Sequence, residues 1–469
     1  MMPNSLKYIV FLSAAAVSHA LMPKRGKNLL LLAASWLFYL LSMPKYLPLM
    51  IAVTGATFLT ARWMESHPQK KRLALTAALL GCFGLLYLYK YLAFTGQLLS
   101  MLPGVGTIEL PQLVQPLGIS FYLFCVTGYL IDVYRGAAAE RSFVNYALMV
   151  GFFPAVLSGP IARSKDLLPQ LRDHAPNWMD VKRGITRFLV GMAKKMLLAD
   201  VLSALVATVY ADVTAFTGTQ VIFAAVCYAL QIYCDFSGYS DMAIGIALLL
   251  GFKFPKNFDA PYKSATITEF WRRWHISLSS WLRDYLYISL GGNRRGTLRT
   301  YLNLIITMVL GGLWHGAAVR FILWGALHGV ALALHKMWLS IVPWAKANGK
   351  DMNPLLRVLG VVLTFHIVCL GWLLFRAEDM QTVHLMLYQI LHSFNTSIIP
   401  QFILGYKEVL ALIVLGYFMH FMPAQIDSDL QRKVGNASFW WQVAMLVAVA
   451  WCVMQIKSSS IQPFIYFQF

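Results

Sequence analysis

The sequence predicts an all-α integral membrane protein, from its composition and from the spacing of its apolar runs. Of its 469 residues, 58% are hydrophobic and only 13% are charged, unlike a soluble globular domain. Runs near the roughly 20 residues that cross a hydrocarbon core recur along the chain, at residues 29–41, 73–88, 221–252, 358–375 and 440–454. We expect roughly ten to twelve membrane helices, counting shorter and broken segments.

Charge and cysteine content argue against two other classes of protein. The 39 Lys and Arg exceed the 20 Asp and Glu, for a formal net charge of +19. Such an excess collects in the cytoplasmic loops of membrane proteins, so we expect no nucleic-acid partner. The six cysteines lie mostly in apolar runs, with no Cys-x-x-Cys spacing and no histidine at ligand spacing. They predict neither a disulfide framework nor a metal site.

Positive charge also orients the N-terminal helices. The apolar run at residues 8–22 ends in a small-x-small pattern that fits signal-peptide cleavage. However, three positive charges follow the run, at residues 24–27, whereas only Lys7 precedes it. This arrangement favours a retained helix that enters the cytoplasm from outside, and the basic loop at residues 62–72 fits the next inside loop. We therefore expect the N-terminus to face the exterior.

Residues 143–161 form an apolar segment that does not resemble a simple membrane span. Pro154, Gly159 and Pro160 interrupt it, and basic residues lie on both sides of it. Broken backbone is tolerated at membrane depth only where protein buries it or where it lines a cavity. We expect a re-entrant hairpin with both ends on the cytoplasmic side.

The most basic stretch of the C-terminal two thirds is residues 253–300, with nine basic and three acidic residues, a net charge of 9 − 3 = +6. It is either an ordinary positive-inside loop or a docking site for an anionic phosphorylated ligand such as coenzyme A. Taken as one helix, residues 271–286 place His275 on an apolar face and Arg272 and Arg273 opposite. His275 is then either a core histidine or a functional one near phosphate-binding cations.

The strongest single candidate is His315, which lies between small residues in the apolar run at residues 311–318. An ionisable side chain at membrane depth costs about 2 to 3 kcal/mol or more when charged, and it marks a functional site by default. The flanking glycines admit close approach of a helix or a ligand. Asp235 and Asp241 interrupt another apolar stretch and are expected to hydrogen-bond to a histidine or to the basic segment. Four histidines are expected to be polar contacts between helices or interface anchors: His328, His335, His366 and His420.

Seven motifs, which follow one another along the chain, resemble those of one protein family. They are QPLGISFYLF from Gln115, LIDVYRG from Leu130, FFPAVLSGPIAR from Phe152, QIYCDFSGYSDMAIG from Gln231, NFDAPY from Asn257, WRRWHISLSSWLRDYLYISLGGNR from Trp271 and GGLWHGAAVRFILWGALHG from Gly311. Over most of its length the chain resembles the membrane-bound O-acyltransferases. The similar branch contains the alginate O-acetyltransferase membrane subunit and its relatives for peptidoglycan, cellulose and D-alanylated teichoic acid.

The resemblance implies many membrane helices around a thinned centre, where a cytoplasmic and an extracellular funnel meet at His315. It implies that acetyl-CoA enters from the cytoplasm as the donor. His315 would act as general base or carry the acetyl group covalently, and His275 would position or polarise the thioester. We expect supporting roles for Trp314, Asp235 and Trp274. We expect contacts to coenzyme A from Arg272, Arg273, Lys263 and Asn293.

The chain ends in an aromatic tail, residues 463–469. It is either an interfacial anchor or, by resemblance to acyl-relay segments of the teichoic-acid system, a relay or docking segment centred on Tyr466. We expect one polytopic acyltransferase domain over residues 1–469, with N-terminal helices at 1–113, a catalytic core at 114–337, and C-terminal helices and the tail at 338–469.

The resemblance also implies a multi-pass protein of the bacterial inner membrane. Its implied partners are a periplasmic SGNH-hydrolase-like acetyltransferase and other polysaccharide secretion subunits. Alginate, cellulose and peptidoglycan are open alternatives for the acceptor, and Val319-Arg320 departs from the aromatic residue expected near position 319. A transporter or export channel and a purely structural subunit are competing interpretations, although the two halves of the chain lack the repeated interrupted helices of transporters.

Overall fold

The computed structural model describes residues 5–172, 176–342 and 353–423, then 425–426 and a series of short stretches between 432 and 451. Throughout these residues every regular element is a helix, which confirms the predicted all-α class. Two compact units make up the chain. The first is Met1–Phe188 with Ser240–Pro255, and the second is Leu189–Tyr239 with Lys256–Phe469.

The first unit is formed by the N-terminal helices. They are α1 (Leu6–Leu21), α2 (Lys27–Ser42), α3 (Leu47–Ser66), α4 (Lys71–Leu86), α5 (Leu92–Ser100), α6 (Ile119–Tyr134), α7 (Phe143–Gly151), α8 (Ser164–Arg172) and α9 (Trp178–Ala193), whose last residues enter the second unit. Short helical turns or loops join them, and Ser5 caps α1 by accepting the N–H of Tyr8.

The prediction that residues 143–161 do not form one continuous span is confirmed. Helix α7 begins at the cap Ser142 and ends at Gly151 after nine residues, far short of a membrane crossing. Irregular backbone follows up to Ser164 and packs against the start of α6. Gly118 makes that contact possible, since its φ is +72° and a Cβ there would lie 2.3 Å from the carbonyl oxygen of Val156. The side of the membrane on which this segment lies stays a prediction.

The second unit contains the remaining helices. They are α10 (Asp200–Ala211), α11 (Gly218–Leu249, whose last ten residues belong to the first unit), α12 (Ile267–Arg273), α13 (Ile276–Trp281), α14 (Thr297–His315), α15 (Val319–Ile341), α16 (Pro354–Arg376), α17 (Met380–His392), α18 (Ile399–Gly405) and α19 (Lys407–Phe421). Two π-helical turns, Lys194–Ala199 before α10 and Leu282–Tyr287 after α13, interrupt this regular structure. Such turns are frequent at functional sites.

Helices α14 and α15 form a tight antiparallel hairpin. A Cβ on Gly312 would lie 2.1 Å from the carbonyl oxygen of Phe321, and one on Gly325 would lie 2.4 Å from that of Met308. Only residues without a side chain allow two helices to approach this closely. The expectation that a glycine beside His315 admits a neighbouring helix is therefore confirmed at Gly312, and the hairpin holds His315 at its tip.

Five helical stretches of the described residues are long and apolar enough to cross a membrane: Pro44–Ser66, Pro68–Ser100, Gly218–Leu249, Val319–Ile341 and Pro354–Arg376. The pair α18 and α19 makes a sixth if its 88° bend lies within one span. Helix α6 is apolar but shorter. These segments make the chain a multi-pass membrane protein, and the expected ten to twelve helices, which included shorter and broken ones, stay a prediction.

Candidate active site

His315 is the last residue of α14 and lies in a pocket of aromatic rings. Its side chain is only 6% exposed. The ring centroids of Trp314, Trp324 and Phe375 lie 5.1, 5.1 and 5.3 Å from its own. Gly316 follows in extended conformation, where a Cβ would collide with a neighbouring ring. The helix end and the hairpin thus present one imidazole in an apolar setting.

His275 occupies a break between helices, and here the predicted continuous helix over residues 271–286 is wrong. Helix α12 ends at Arg273, and α13 begins at Ile276. His275 between them has a φ of +43°, a left-handed conformation that costs a non-glycine residue roughly 1–2 kcal/mol. Periodicity alone could not reveal this break, because the apolar spacing continues across it. The side chain is fully buried.

The buried amide of Asn257 holds this break in place. Its Oδ1 lies 3.2 Å from Nδ1 of His275 and accepts hydrogen bonds from the N–H and the hydroxyl of Ser277, at 3.1 and 2.9 Å. Its backbone carbonyl accepts the N–H of Ile276. An amide oxygen can only accept, so Nδ1 of His275 carries a proton and donates it. Sequence reasoning missed Asn257, although the NFDAPY motif contains it.

Burial keeps His275 uncharged. The apolar surroundings lower its pKa to about 3, because an imidazolium there would lose its hydration. With Nδ1 as the donor to Asn257, the neutral ring has its lone pair at Nε2. That nitrogen can accept a hydrogen bond but cannot donate one.

The structure brings the two candidate histidines together. Their ring centroids lie 6.3 Å apart, and the ring of Trp314 contacts both, at 5.1 Å from His315 and 6.1 Å from His275. Helix α11 supplies another wall, since the Phe236 ring meets His275 edge-on at 4.7 Å. Two imidazoles this close can act on the same small reacting group.

The two predicted supporting tryptophans are both buried beside these histidines. Trp314 lies between them, as described. Trp274 packs on Trp372 and Phe258, with ring centroids 4.8 and 5.0 Å away. Both side chains shape the aromatic wall, and any further role stays a prediction.

Asp235 lies in a buried ion network that sequence reasoning only half identified. Its Oδ1 lies 2.5 Å from Nζ of Lys195, which also contacts Asp200 at 2.8 Å. Lys195 is in the π-helical turn before α10 and is 2% exposed. The apolar stretch around Asp235 was the signal, but no pattern indicated Lys195 as the partner. In the first unit, Asp241 pairs with Arg187 at 3.0 Å.

The four residues expected to bind coenzyme A have different surroundings. Arg272 is exposed. Arg273 pairs with Glu269 at 2.9 Å, and Nζ of Lys263 donates to the carbonyl oxygen of Met422 at 2.5 Å. The side-chain oxygen of Asn293 accepts hydrogen bonds from the Tyr287 hydroxyl and from Lys336. Lys336, which sequence reasoning missed, joins this predicted set of polar groups.

The secondary histidine candidates behave mostly as contact residues. His420 accepts the backbone N–H of Tyr262 at 3.0 Å, His335 hydrogen-bonds to Thr268 at 2.8 Å, and His366 bonds to its own helix. His328 is fully buried against Trp324, at 4.8 Å, and neither ring nitrogen has a hydrogen-bond partner among the described residues. Tyr466 and the rest of the aromatic tail lie outside the described residues.

Comparison with known proteins identifies relatives across nearly the whole chain. A probable alginate O-acetylase, AlgI, of Pseudomonas putida is 37% identical over 479 residues, which covers 95% of each chain. The Helicobacter pylori peptidoglycan O-acetyltransferase is 34% identical over 402 residues, covering 79% of this chain and 74% of the relative. A Bacillus subtilis teichoic acid D-alanyltransferase is 26% identical over 295 residues, covering 58% and 71%.

The matched region contains both candidate histidines. Residues 130–357 match the family described as MBOAT, membrane-bound O-acyltransferase. His275 and His315 both lie within that range, together with Asn257 and Asp235. The relatives at 34% and 37% identity extend the match to most of the chain. The chain therefore belongs to the membrane-bound O-acyltransferase family, and it is an acyltransferase.

Proposed function

We propose that this protein is an inner-membrane O-acetyltransferase that takes acetyl from cytoplasmic acetyl-CoA for O-acetylation of an exported polysaccharide. The observation that carries the proposal is the pair of buried histidines with ring centroids 6.3 Å apart at the tip of the α14–α15 hairpin. The activities for which the similar proteins are named, O-acetylation of alginate and of peptidoglycan, support acetyl as the group and a polysaccharide as its destination.

His315 is the proposed general base. Its imidazole takes the proton from the acceptor hydroxyl while that oxygen attacks the thioester carbonyl carbon. The carbon–sulfur bond then breaks, the acetyl ester forms, and the proton passes to the departing thiolate of coenzyme A. Aromatic walls exclude water, which keeps the thioester from being hydrolysed. A covalent acetyl group on His315 is the rival route.

His275 is proposed to position rather than to polarise. The donor bond from Nδ1 to Asn257 leaves only an acceptor at Nε2. A thioester carbonyl needs a donor, so this ring does not stabilise its negative charge while it is neutral. A hydrogen-bond acceptor at Nε2 can instead orient an N–H or O–H group in the site, such as the N–H of His315 or the hydroxyl of the molecule that receives the acetyl group.

The donor is proposed to dock at the basic segment. Arg272 is exposed at the end of α12, and its charge acts on His335, the residue before Lys336, whose Nζ donates to the side-chain oxygen of Asn293. Phosphates bind well to such clustered cations and amides. The same segment contains His275, whose ring centroid lies 6.3 Å from that of His315, so a donor docked on the segment can extend its thioester arm to His315.

A periplasmic SGNH-hydrolase-like acetyltransferase is the proposed partner, which completes transfer onto a sugar hydroxyl. The alginate-type acceptor is favoured by the relatives with 37% identity and 95% mutual coverage. Peptidoglycan is the second candidate because of the Helicobacter relative. Tyr466 is proposed to relay acetyl or to dock this partner. Unchanged acetylation of the secreted polymer after removal of the last six residues would end that role.

The test is release of free coenzyme A from acetyl-CoA by purified protein in lipid nanodiscs. We expect turnover in the wild type, loss of about 100-fold or more in His315→Ala, and a marked loss in His275→Ala. His366→Ala is the matched control, because His366 is an exposed histidine that bonds only within its own helix. No turnover by the wild type with a candidate partner present would favour a transport or structural role. Full activity in His315→Ala would refute both chemical routes.

A further inference from the structure

A basic, glycine-containing loop leads into α14. Its residues 290–297 read Leu-Gly-Gly-Asn-Arg-Arg-Gly-Thr, and the φ angles of Gly291 and Gly296 are +107° and +86°. Only glycine adopts such angles at low cost, so the sequence favours this tight path. The side chain of Arg295 folds back over Gly291, where a Cβ would lie 2.9 Å from its Cδ. The loop therefore presents its arginines from a defined backbone.

Hydrogen bonds from two helices hold this loop in place. Asn303 of α14 is fully buried, and its amide donates to the carbonyl oxygens of Leu290 and Gly292 at 3.4 and 3.1 Å. Lys336 of α15 donates to the side-chain oxygen of Asn293 at 2.7 Å. A loop that only carries positive charge needs no fixed conformation. These bonds are instead typical of a loop that binds a ligand.

Three arginines of this region are exposed and unpaired. The guanidinium groups of Arg294, Arg295 and Arg299 form no ion pair or hydrogen bond with any described residue. In contrast, Arg283 of the same basic segment pairs with the neighbouring Asp284 at 2.6 Å. Free guanidinium groups this close together in the chain attract an anion, and phosphate oxygens match their geometry.

The outer face of α14 continues from these arginines as an apolar stripe. Leu298, Leu302, Ile306 and Leu310 are 37–73% exposed, and every exposed residue of the helix after Arg299 is one of them. A spacing of four residues keeps them on one face. The stripe is about 18 Å long, enough to cross one leaflet of a hydrocarbon core roughly 30 Å thick. An acyl chain can lie along it.

The start of α14 also has the features of a membrane–water interface. The contact of Lys336 with Asn293 places the end of α15 beside the loop, and Trp338 is exposed there. Tryptophan is enriched at the headgroup level of membranes. The excess of positive charge predicts that this end faces the cytoplasm, where the leaflet carries negatively charged lipids. The arginines thus lie at the level of phosphate groups and the stripe at the level of acyl chains.

We propose that the loop and the apolar stripe form a binding site for an anionic phospholipid of the cytoplasmic leaflet. Arg294, Arg295 and Arg299 bind its phosphate, and one acyl chain lies along α14. Coenzyme A shares the phosphates but has nothing that matches the stripe. The basic segment then has two parts, since Arg272 belongs to the proposed donor site. Lipid binding does not depend on the proposed function.

The experiment measures lipid binding to the full chain in detergent micelles by native mass spectrometry. The probes are phosphatidylglycerol and the neutral phosphatidylcholine with the same acyl chains. We expect the wild type to bind phosphatidylglycerol more tightly, and the double variant Arg295→Gln/Arg299→Gln to bind it about tenfold more weakly. Lys70→Gln/Arg72→Gln is the matched control, because it removes two exposed charges at the start of α4. It should bind as the wild type does.

Two further variants keep the test decisive. Arg294→Gln lies outside α14 and should weaken binding several-fold, even if the double arginine variant fails to fold. Leu302→Ala/Ile306→Ala should weaken binding of both lipids, because it shortens the apolar contact without changing charge.

Three results would overturn the lipid site. The first is equal affinity of the wild type for the charged and the neutral lipid, which would indicate ordinary contact with the bilayer. The second is an equal loss of phosphatidylglycerol binding in the control and the arginine variants, which would indicate a general effect of net charge. The third is displacement of phosphatidylglycerol by free coenzyme A, which would assign the arginines to the donor.

Discussion

The two candidate histidines reach the same place by opposite means. His315 ends a regular helix, and its position follows from the close α14–α15 hairpin. His275 lies in a break where the backbone is left-handed, and Asn257 holds it there through side-chain and backbone bonds. One position depends on helix packing, and the other depends on strain that local hydrogen bonds offset. Variants that disturb packing and variants that disturb the break should therefore have different effects.

The largest expected effect in this comparison comes from forcing the helices α14 and α15 apart. Gly312→Ala adds a Cβ that would lie 2.1 Å from the carbonyl oxygen of Phe321, so the helices must move apart. We expect a loss of stability of about 1–3 kcal/mol or more, with activity lost as His315 shifts. Thermal unfolding in detergent measures the first and coenzyme A release the second. Gly55→Ala in α3 is the control, because nothing lies within 4 Å of its added Cβ.

The second-largest expected effect comes from removing the Asn257 side chain, which holds the helix break at His275 in place. Asn257→Ala leaves the donors of Ser277 and His275 without their shared acceptor, at a cost of about 1–3 kcal/mol. We expect activity to fall about tenfold or more as His275 loses its orientation. Asn257→Asp keeps an acceptor oxygen and should retain more activity than the alanine variant. Equal activity of wild type and Asn257→Ala would mean that His275 needs no positioning.

The pH dependence of stability tests whether His275 is buried as a neutral ring. The pKa of His275 is about 3 in the folded protein and about 6.5 when unfolded, so only the unfolded ring binds a proton at intermediate pH. The stability due to its burial is complete above pH 6.5 and falls by about 1.4 kcal/mol per pH unit as the pH drops towards 3. Melting curves between pH 7.5 and 5 should fall more steeply in the wild type than in His275→Gln. Parallel curves would contradict the buried neutral ring.

The smallest expected effect comes from the backbone strain at His275. His275→Gly and His275→Ala both remove the imidazole, and we expect both to lose most acetyl transfer. Only glycine adopts a φ of +43° without cost, although it also gains freedom in the unfolded chain. We expect the glycine variant to be the more stable of the two by up to about 1 kcal/mol. Chemical denaturation would measure the difference, and a more stable alanine variant would count against strain at this residue.

The class of the protein could be predicted from the sequence, which also singled out His315 as the strongest candidate residue. Apolar runs of membrane length, the ordered motifs and His315 among glycines were sufficient for the all-α membrane fold and the family, because periodicity, hydrophobicity and small residues are local properties. The broken segment after residue 143 was also predictable from its prolines and glycines. Each of these signals depends only on residues that are close together in the chain.

The arrangement of the other candidate site residues depends on tertiary packing. The break at His275 has no signal in the apolar pattern, since the residue that stabilises it is Asn257, 18 positions earlier. Asp235 pairs with Lys195, which lies 40 positions earlier in the chain, and the guanidinium of Arg376 lies over the ring of Tyr210. Strain and buried charge are tolerated only when distant residues supply the compensating contacts, and those contacts exist only once the helices have packed.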